Sequence, residues 1–247
     1  MVSWKSLKPV RTLTLACAFG LAITLLSSCQ KGQGSKSAST NEVAVIKTTA
    51  GDMVVEFWPD VAPKTVENFK SLARSGFYDG TCFHRIVKGF MIQGGDPLTK
   101  DPAKEDQWGT GGPDHKTPPE LSNRQHEFGV ISMARSFNQA EARAKMEELQ
   151  ARGAPPQVLK SLEQITTDVE AGWSGSQFYI CDAPSHNPYM QNLNGKYTAF
   201  GKLIKGEDVL EKIANTPVTV GPSGEMSKPT VRVQIQSINI VGANSIK

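Results

Sequence analysis

The 247 residues suffice for one domain with a sizeable core, and 38% hydrophobic with 7% aromatic content excludes a disordered chain. The formal charge is +3, yet Lys5, Lys8 and Arg11 fall in residues 1–28 with no acid beside them, so the remainder is neutral. A neutral body has no electrostatic reason to bind nucleic acid non-specifically. His84, His115, His126 and His186 are scattered without paired ligands and read as structural or surface residues, so no metal is expected.

In chain order, residues 1–28 read as a secretory signal: a basic start, then the apolar run "LTLACAFGLAITLL". "LSSC", Leu26 to Cys29, resembles the bacterial lipobox. That resemblance implies cleavage before Cys29, diacylation of its sulfur and a lipid-anchored place in the cell envelope. Gln30, rather than Asp, implies the outer membrane if the source is Gram-negative. An uncleaved anchor is one alternative, although a span takes ~20 residues. Ordinary cleavage with Cys29 a free thiol is another. Residues 29–41, mostly Gly, Ser and Lys, form a lipidated flexible tether. Cys17 leaves with the signal, and Cys82 and Cys181 sit in apolar strand-like runs as small hydrophobes. A disulfide between these two stays open.

The body spans 42–247. "EVAVIKT" predicts a strand, "AGD" a turn and "MVVEFW" a second strand. In "APKTVENFKSLARSG", Ala62, Val66, Phe69 and Ala73 share a helical face that Gly76 ends. Further strands are expected at 81–87, 90–93, 128–134, 177–181 and 197–203, and a second helix at "GEDVLEKIAN". The last strand, 231–241, alternates at Val231, Val233 and Ile235 and changes phase at Ile238 and Ile240, which predicts a bulge. Pro97 to about Ser122 is polar loop, and its "GTGG" lacks the Lys-Ser/Thr and helix of a phosphate cradle. It reads as surface turns. Many short strands with two helices describe a closed barrel or sandwich.

Residues 137–171 break this pattern with two helical stripes, Ala142, Met146, Leu149 and then Val158, Leu162, Ile165, Val169, joined at Gly153–Pro156. Glu141 and Lys145 are spaced for an i,i+4 pair. The stripes either bury each other or form an arm for a partner or substrate.

"FHRIVKGFMIQGGD", "GVISMAR", "SGSQFYI" and "LNGKYTAFGK", in that order, resemble the cyclophilin family of peptidyl-prolyl cis/trans isomerases from about Glu42 to Val241. The resemblance implies a mainly-β fold: a closed eight-stranded antiparallel barrel capped by two helices, here with an inserted helical hairpin. It implies proline-containing polypeptides as substrates, a monomer and no cofactor. Arg85, Phe90 and Gln93 take the catalytic positions. Phe90, Met91, Tyr179 and Leu193 would form an apolar cup for the proline ring, with Gln93 holding Arg85 and Gln177 alongside. Ala134 and Arg135 occupy the strand-edge positions that bind residues before the proline, and Tyr197 stands where many members carry histidine. Three departures stand out: Arg135 adds a charge beside the groove, Asn192 replaces an indole linked to cyclosporin-type inhibitors, and Tyr179 adds a hydroxyl needing a partner.

The chemistry asks for such residues. Amide rotation crosses ~18–20 kcal/mol because resonance stiffens the C–N bond. A catalyst therefore needs only to bind the twisted amide better than either planar form. Twisting frees the nitrogen lone pair, and a fixed cation such as Arg85 can donate to it. Two rival readings are a holding module with little turnover and a structural lipoprotein with a vestigial pocket. Arg85 with Gln93 favours the enzyme, while the holding module stays open through Arg135 and the insertion, either of which would redirect the groove if it entered it.

Overall fold

The computed structural model describes residues 41–135, 139–167, 172–221 and 224–246. The signal, Cys29, the tether up to residue 40, the ends of the expected hairpin (137–138 and 168–171) and with them Val169 lie outside the described residues.

Strand β1 (Glu42–Thr48) turns into β2 (Gly51–Phe57) around Thr48, whose hydroxyl accepts from the Ala50 and Gly51 amides at 3.0 and 3.1 Å. Helix α1 (Pro63–Arg74) starts on a proline that needs no amide partner, and Gly76 (φ 70°) closes its end. Its expected face, Ala62, Val66, Phe69 and Ala73, is buried. Then come β3 (Arg85–Val87), β4 (Met91–Gly94), β5 (Val130–Met133), helices α2 (Gln139–Ala151) and α3 (Pro156–Thr167), and β6 (Phe178–Cys181). Helix α4 (Pro188–Leu193), β7 (Ala199–Lys205), α5 (Glu207–Ala214), β8 (Val218–Val220), β9 (Met226–Pro229) and β10 (Ile235–Gly242) complete the chain.

Eight strands form one antiparallel sheet in the order β10-β1-β2-β7-β5-β6-β4-β3. The sheet curls until its edges, β10 and β3, meet, and a short stitch closes the seam. Cys82 bridges Gln234, Ile235 N donates to Thr81 O at 2.8 Å, and Phe83 N donates to Val233 O at 3.0 Å. The predicted bulge is present: Lys47 faces Ser237 and Thr48 faces Ile235, leaving Gln236 as the extra residue. Val231 is a correction. It is 62% exposed, whereas Val233 is buried, because the seam stitch reaches back only as far as Val233, where Phe83 N donates to its carbonyl.

Inside the barrel, Phe69 packs its ring 5.1–5.5 Å from those of Tyr78, Phe178 and Phe200, and Leu210 and Ile213 of α5 join the same core. Helices α2 and α3 pack on each other, with Ala142 and Leu162 buried. Val158 instead points outward, since it lies in the first turn of α3, beside the turn that follows the end of α2. The expected Glu141–Lys145 pair gives way to Arg135–Glu141 and Lys145–Glu148. A bidentate fork on a half-buried arginine outweighs an exposed i,i+4 pair worth a few tenths of a kcal/mol. Cys82 and Cys181 are free and buried, one at the seam and the other on β6, which leaves no disulfide between them.

Candidate active site

The period-2 alternation of the strands builds the site. In β6, Phe178 and Ile180 enter the barrel core, while Tyr179 and Cys181 face the other way into a second apolar cluster. In β3 and β4, Ile86 and Ile92 point inward, which turns Arg85, Met91 and Gln93 to the outer face. The register then sets Arg85, Gln93, Tyr179 and Ser132 in one row across β3, β4, β6 and β5.

The second cluster is the floor of a depression of about 160 Å³. Arg85, Phe90, Met91, Gln93, Ala134, Arg135, Tyr179, Leu193 and Tyr197 line it, so nine of the ten expected catalytic and substrate-binding residues meet there. Gln177 stands next door, lining an adjoining depression of about 700 Å³ with Gln93, Ala134 and Arg135. Helix α4 delivers Met190 and Leu193 to the floor and was not anticipated. Its signal is "NP": Asn187 caps the helix by accepting from Tyr189 N at 2.8 Å, and Pro188 takes the first helical position.

A chain of hydrogen bonds fixes the polar rim. The amides of Gly109 and Gly111 donate to the buried Asp96 carboxylate, so the "GTGG" turns wrap an acid of their own chain. A β-carbon at Gly111 would collide with that carboxylate. Gln177 Nε2 donates to the carbonyls of Gly109 (2.9 Å) and Gly111 (2.8 Å). Its Oε1 accepts from Gln93 Nε2 at 3.0 Å, and Gln93 Oε1 accepts from Arg85 Nη1 at 3.2 Å. Arg85 Nη1 also lies 3.7 Å from Met91 Sδ, and the guanidinium sits 5.9 Å from the Phe90 ring centre.

Two partners escaped sequence reasoning. Glu225, on the turn between β8 and β9, accepts from Arg85 Nε at 2.6 Å and Nη2 at 2.9 Å. The arginine holds that carboxyl below its ordinary range. His126 supplies the partner that the Tyr179 hydroxyl needs: its Nε2 lies 3.3 Å from that hydroxyl and 3.0 Å from Ser132 Oγ, while Nδ1 faces Asn194 Oδ1 at 3.0 Å. Burial lowers the His126 pKa, which keeps Nε2 an acceptor, and raises that of Tyr179, which keeps its proton. No short-range pattern in the sequence marks either pairing.

His84 stays a structural residue. Both its ring nitrogens are buried without a hydrogen bond, and burial lowers its pKa to about 4. The charge that Arg135 adds beside the groove is engaged. Glu141 accepts from its Nη1 and Nη2 at 2.7 and 2.9 Å, and Lys196 O from its Nε at 3.0 Å, with the guanidinium 4.7 Å from the Tyr197 ring centre. Asn192 is exposed. Among the described residues no His/Cys/Asp/Glu group has the arrangement of a metal site.

The family model "cyclophilin type peptidyl-prolyl cis-trans isomerase/CLD" matches residues 43–146 and 165–240. A Staphylococcus haemolyticus relative assigned as a peptidyl-prolyl cis-trans isomerase is 36% identical over 209 residues, 84% of this chain and 96% of its own. One from Staphylococcus epidermidis is 34% identical over 209 residues, with the same coverage of 84% and 96%. A cyclophilin-type isomerase from Cryptosporidium parvum superposes with a TM-score of 0.57 at 29% identity, over 81% of this chain and 97% of that one. That protein was also crystallised in the presence of the dipeptide Ala-Pro. The chain belongs to the cyclophilin-type peptidyl-prolyl cis-trans isomerases. As a member it is an enzyme that interconverts cis and trans prolyl bonds, and proline-containing peptides are its substrates. The family match breaks at 147–164, across the end of α2 and most of α3.

Proposed function

We propose that Arg85 lowers the rotational barrier by donating a hydrogen bond to the prolyl nitrogen as the amide twists. The proline ring sits in the cup of Phe90, Met91, Tyr179 and Leu193. No covalent bond is made or broken. The observation that carries this reading is the fixed guanidinium at the rim of an apolar cup, with Nη1 turned towards Met91 and held by Gln93. A donor already aimed costs no reorganisation when the lone pair appears, and the apolar surroundings strengthen it. Ala134, Arg135 and Gln177 receive the residues before the proline in the adjoining depression, whose far wall includes Ile165 of α3 and Trp173. The hairpin, read as an insertion at 137–171, buries Ala142 and Leu162 of its stripes and borders the groove through Ile165. Tyr197 offers its hydroxyl to a substrate carbonyl.

The clients are unfolded or folding envelope and secreted proteins, met by a monomer tethered through lipid on Cys29. The basic start, apolar run and "LSSC" support this reading of residues 1–41. In a protease-coupled assay the protein accelerates cis-to-trans conversion of a prolyl tetrapeptide. Peptide binding with no acceleration would instead favour the holding module. Mass spectrometry of the membrane fraction finds a mature chain that begins at diacylated Cys29, and a chain cut elsewhere with a free thiol refutes the anchor.

A further inference from the structure

We infer that Glu225 is a positioning residue for the isomerase reaction, acting through Arg85; this rests on the role proposed for Arg85 above. Arg85 lies on β3, the last strand in the sheet order, and the β8–β9 ribbon lies against that strand through β9. The turn of the ribbon brings Glu225 to the Nε–Nη2 edge of the guanidinium in a side-on bidentate pair at 2.6 and 2.9 Å. A second ion pair, Lys228–Glu105 at 3.0 Å, ties the ribbon to the 3-10 turn at Pro102–Gln107.

Glu225 does not line the cup. It grips the guanidinium on the edge away from Met91, so the Nη1 corner remains turned to the place where the prolyl nitrogen would lie. Gln93 alone leaves a flexible side chain one acceptor about which to pivot. Gln93 and Glu225 together define the plane and rotation of the fork, because two parallel N–H···O bonds fix direction as well as distance. Side chains of both partners are about a third exposed, at 33% and 39%, so the pair adds little to stability, whereas donor direction governs transition-state stabilisation.

The test compares Glu225→Ala, Glu225→Gln, Arg85→Ala and the double variant Arg85→Ala/Glu225→Ala in the full-length protein. It measures kcat, KM and peptide Kd with a prolyl tetrapeptide. Glu225→Ala is expected to lower kcat about tenfold, the scale typical of losing a partner that orients a working group, with KM and Kd within about twofold of wild type. Glu225→Gln, which keeps one acceptor, falls between. In the Arg85→Ala background the second substitution changes nothing further, since no fork remains to be aimed. A wild-type kcat for Glu225→Ala overturns the inference. So does an equal loss in the Arg85→Ala background, which would mean Glu225 acts through the fold. Wild-type turnover by Arg85→Ala itself overturns the Arg85 role, and the inference falls with it.

Discussion

Arg85→Ala lowers kcat by about 10²–10³ while peptide affinity falls only a few-fold. Loss of a preorganised donor aimed at developing charge typically costs ~2.7–4 kcal/mol of transition-state stabilisation. The planar ground state has its nitrogen lone pair delocalised and offers Arg85 little, so the loss falls on the chemical step. The cup of Phe90, Met91 and Leu193 remains to hold the proline. Arg85→Lys restores only part of the rate. A point ammonium cannot donate to Gln93 and span both oxygens of Glu225 as the fork does. Phe90→Ala behaves differently: it opens the cup and lowers affinity and turnover together. Unchanged turnover by a folded Arg85→Ala would remove the catalytic assignment.

Acid weakens the fold through His84. An unfolded imidazole takes up a proton as pH falls through its ordinary 6.5, whereas the folded one, desolvated, resists until about 4. Between those values the unfolded chain binds more protons, so acidification favours unfolding. The contribution of neutral His84 is whole above pH 6.5 and drains away towards pH 4, where about 3 kcal/mol has been lost. The Asp96 charge and the nearby Cys82 carbonyl oppose the shift, Arg85 adds to it, and burial exceeds them all. Urea unfolding at pH 7, 5.5 and 4.5 for wild type and His84→Gln isolates this share, because the other titrating groups are common to both. The stability difference between the two proteins changes by more than 1 kcal/mol across that range. A constant difference would show that His84 titrates near its ordinary value in the fold.

The frame of the site was legible because its signals are local. All eight strand runs appear in the sheet, and the phase change after Ile235 marks the bulge where Gln236 is extra. Arg85 and Gln93 are eight residues apart on adjoining strands, so their pairing follows from one hairpin. Glu225 lies 140 residues from Arg85 in sequence, and its ribbon is too short to announce itself by alternation. The same holds for His126 and Tyr179, 53 residues apart. Helix α4 has six residues, too few for periodicity, although its Asn-Pro start was readable. Glu141 shows the opposite failure. Its spacing from Lys145 suits a helix surface, but Arg135 lies within reach and offers two donors.

The central claim is that Arg85 acts on the twisted amide and not on binding, and exchange on the enzyme itself tests it most directly. Two-dimensional NMR exchange spectroscopy at saturating protein reads the cis–trans rate of a bound prolyl peptide, apart from association and release. The account predicts rapid exchange on the wild-type protein and, on Arg85→Ala with the peptide still bound, a rate at least a hundredfold slower. Equal rates on the two bound complexes would contradict it.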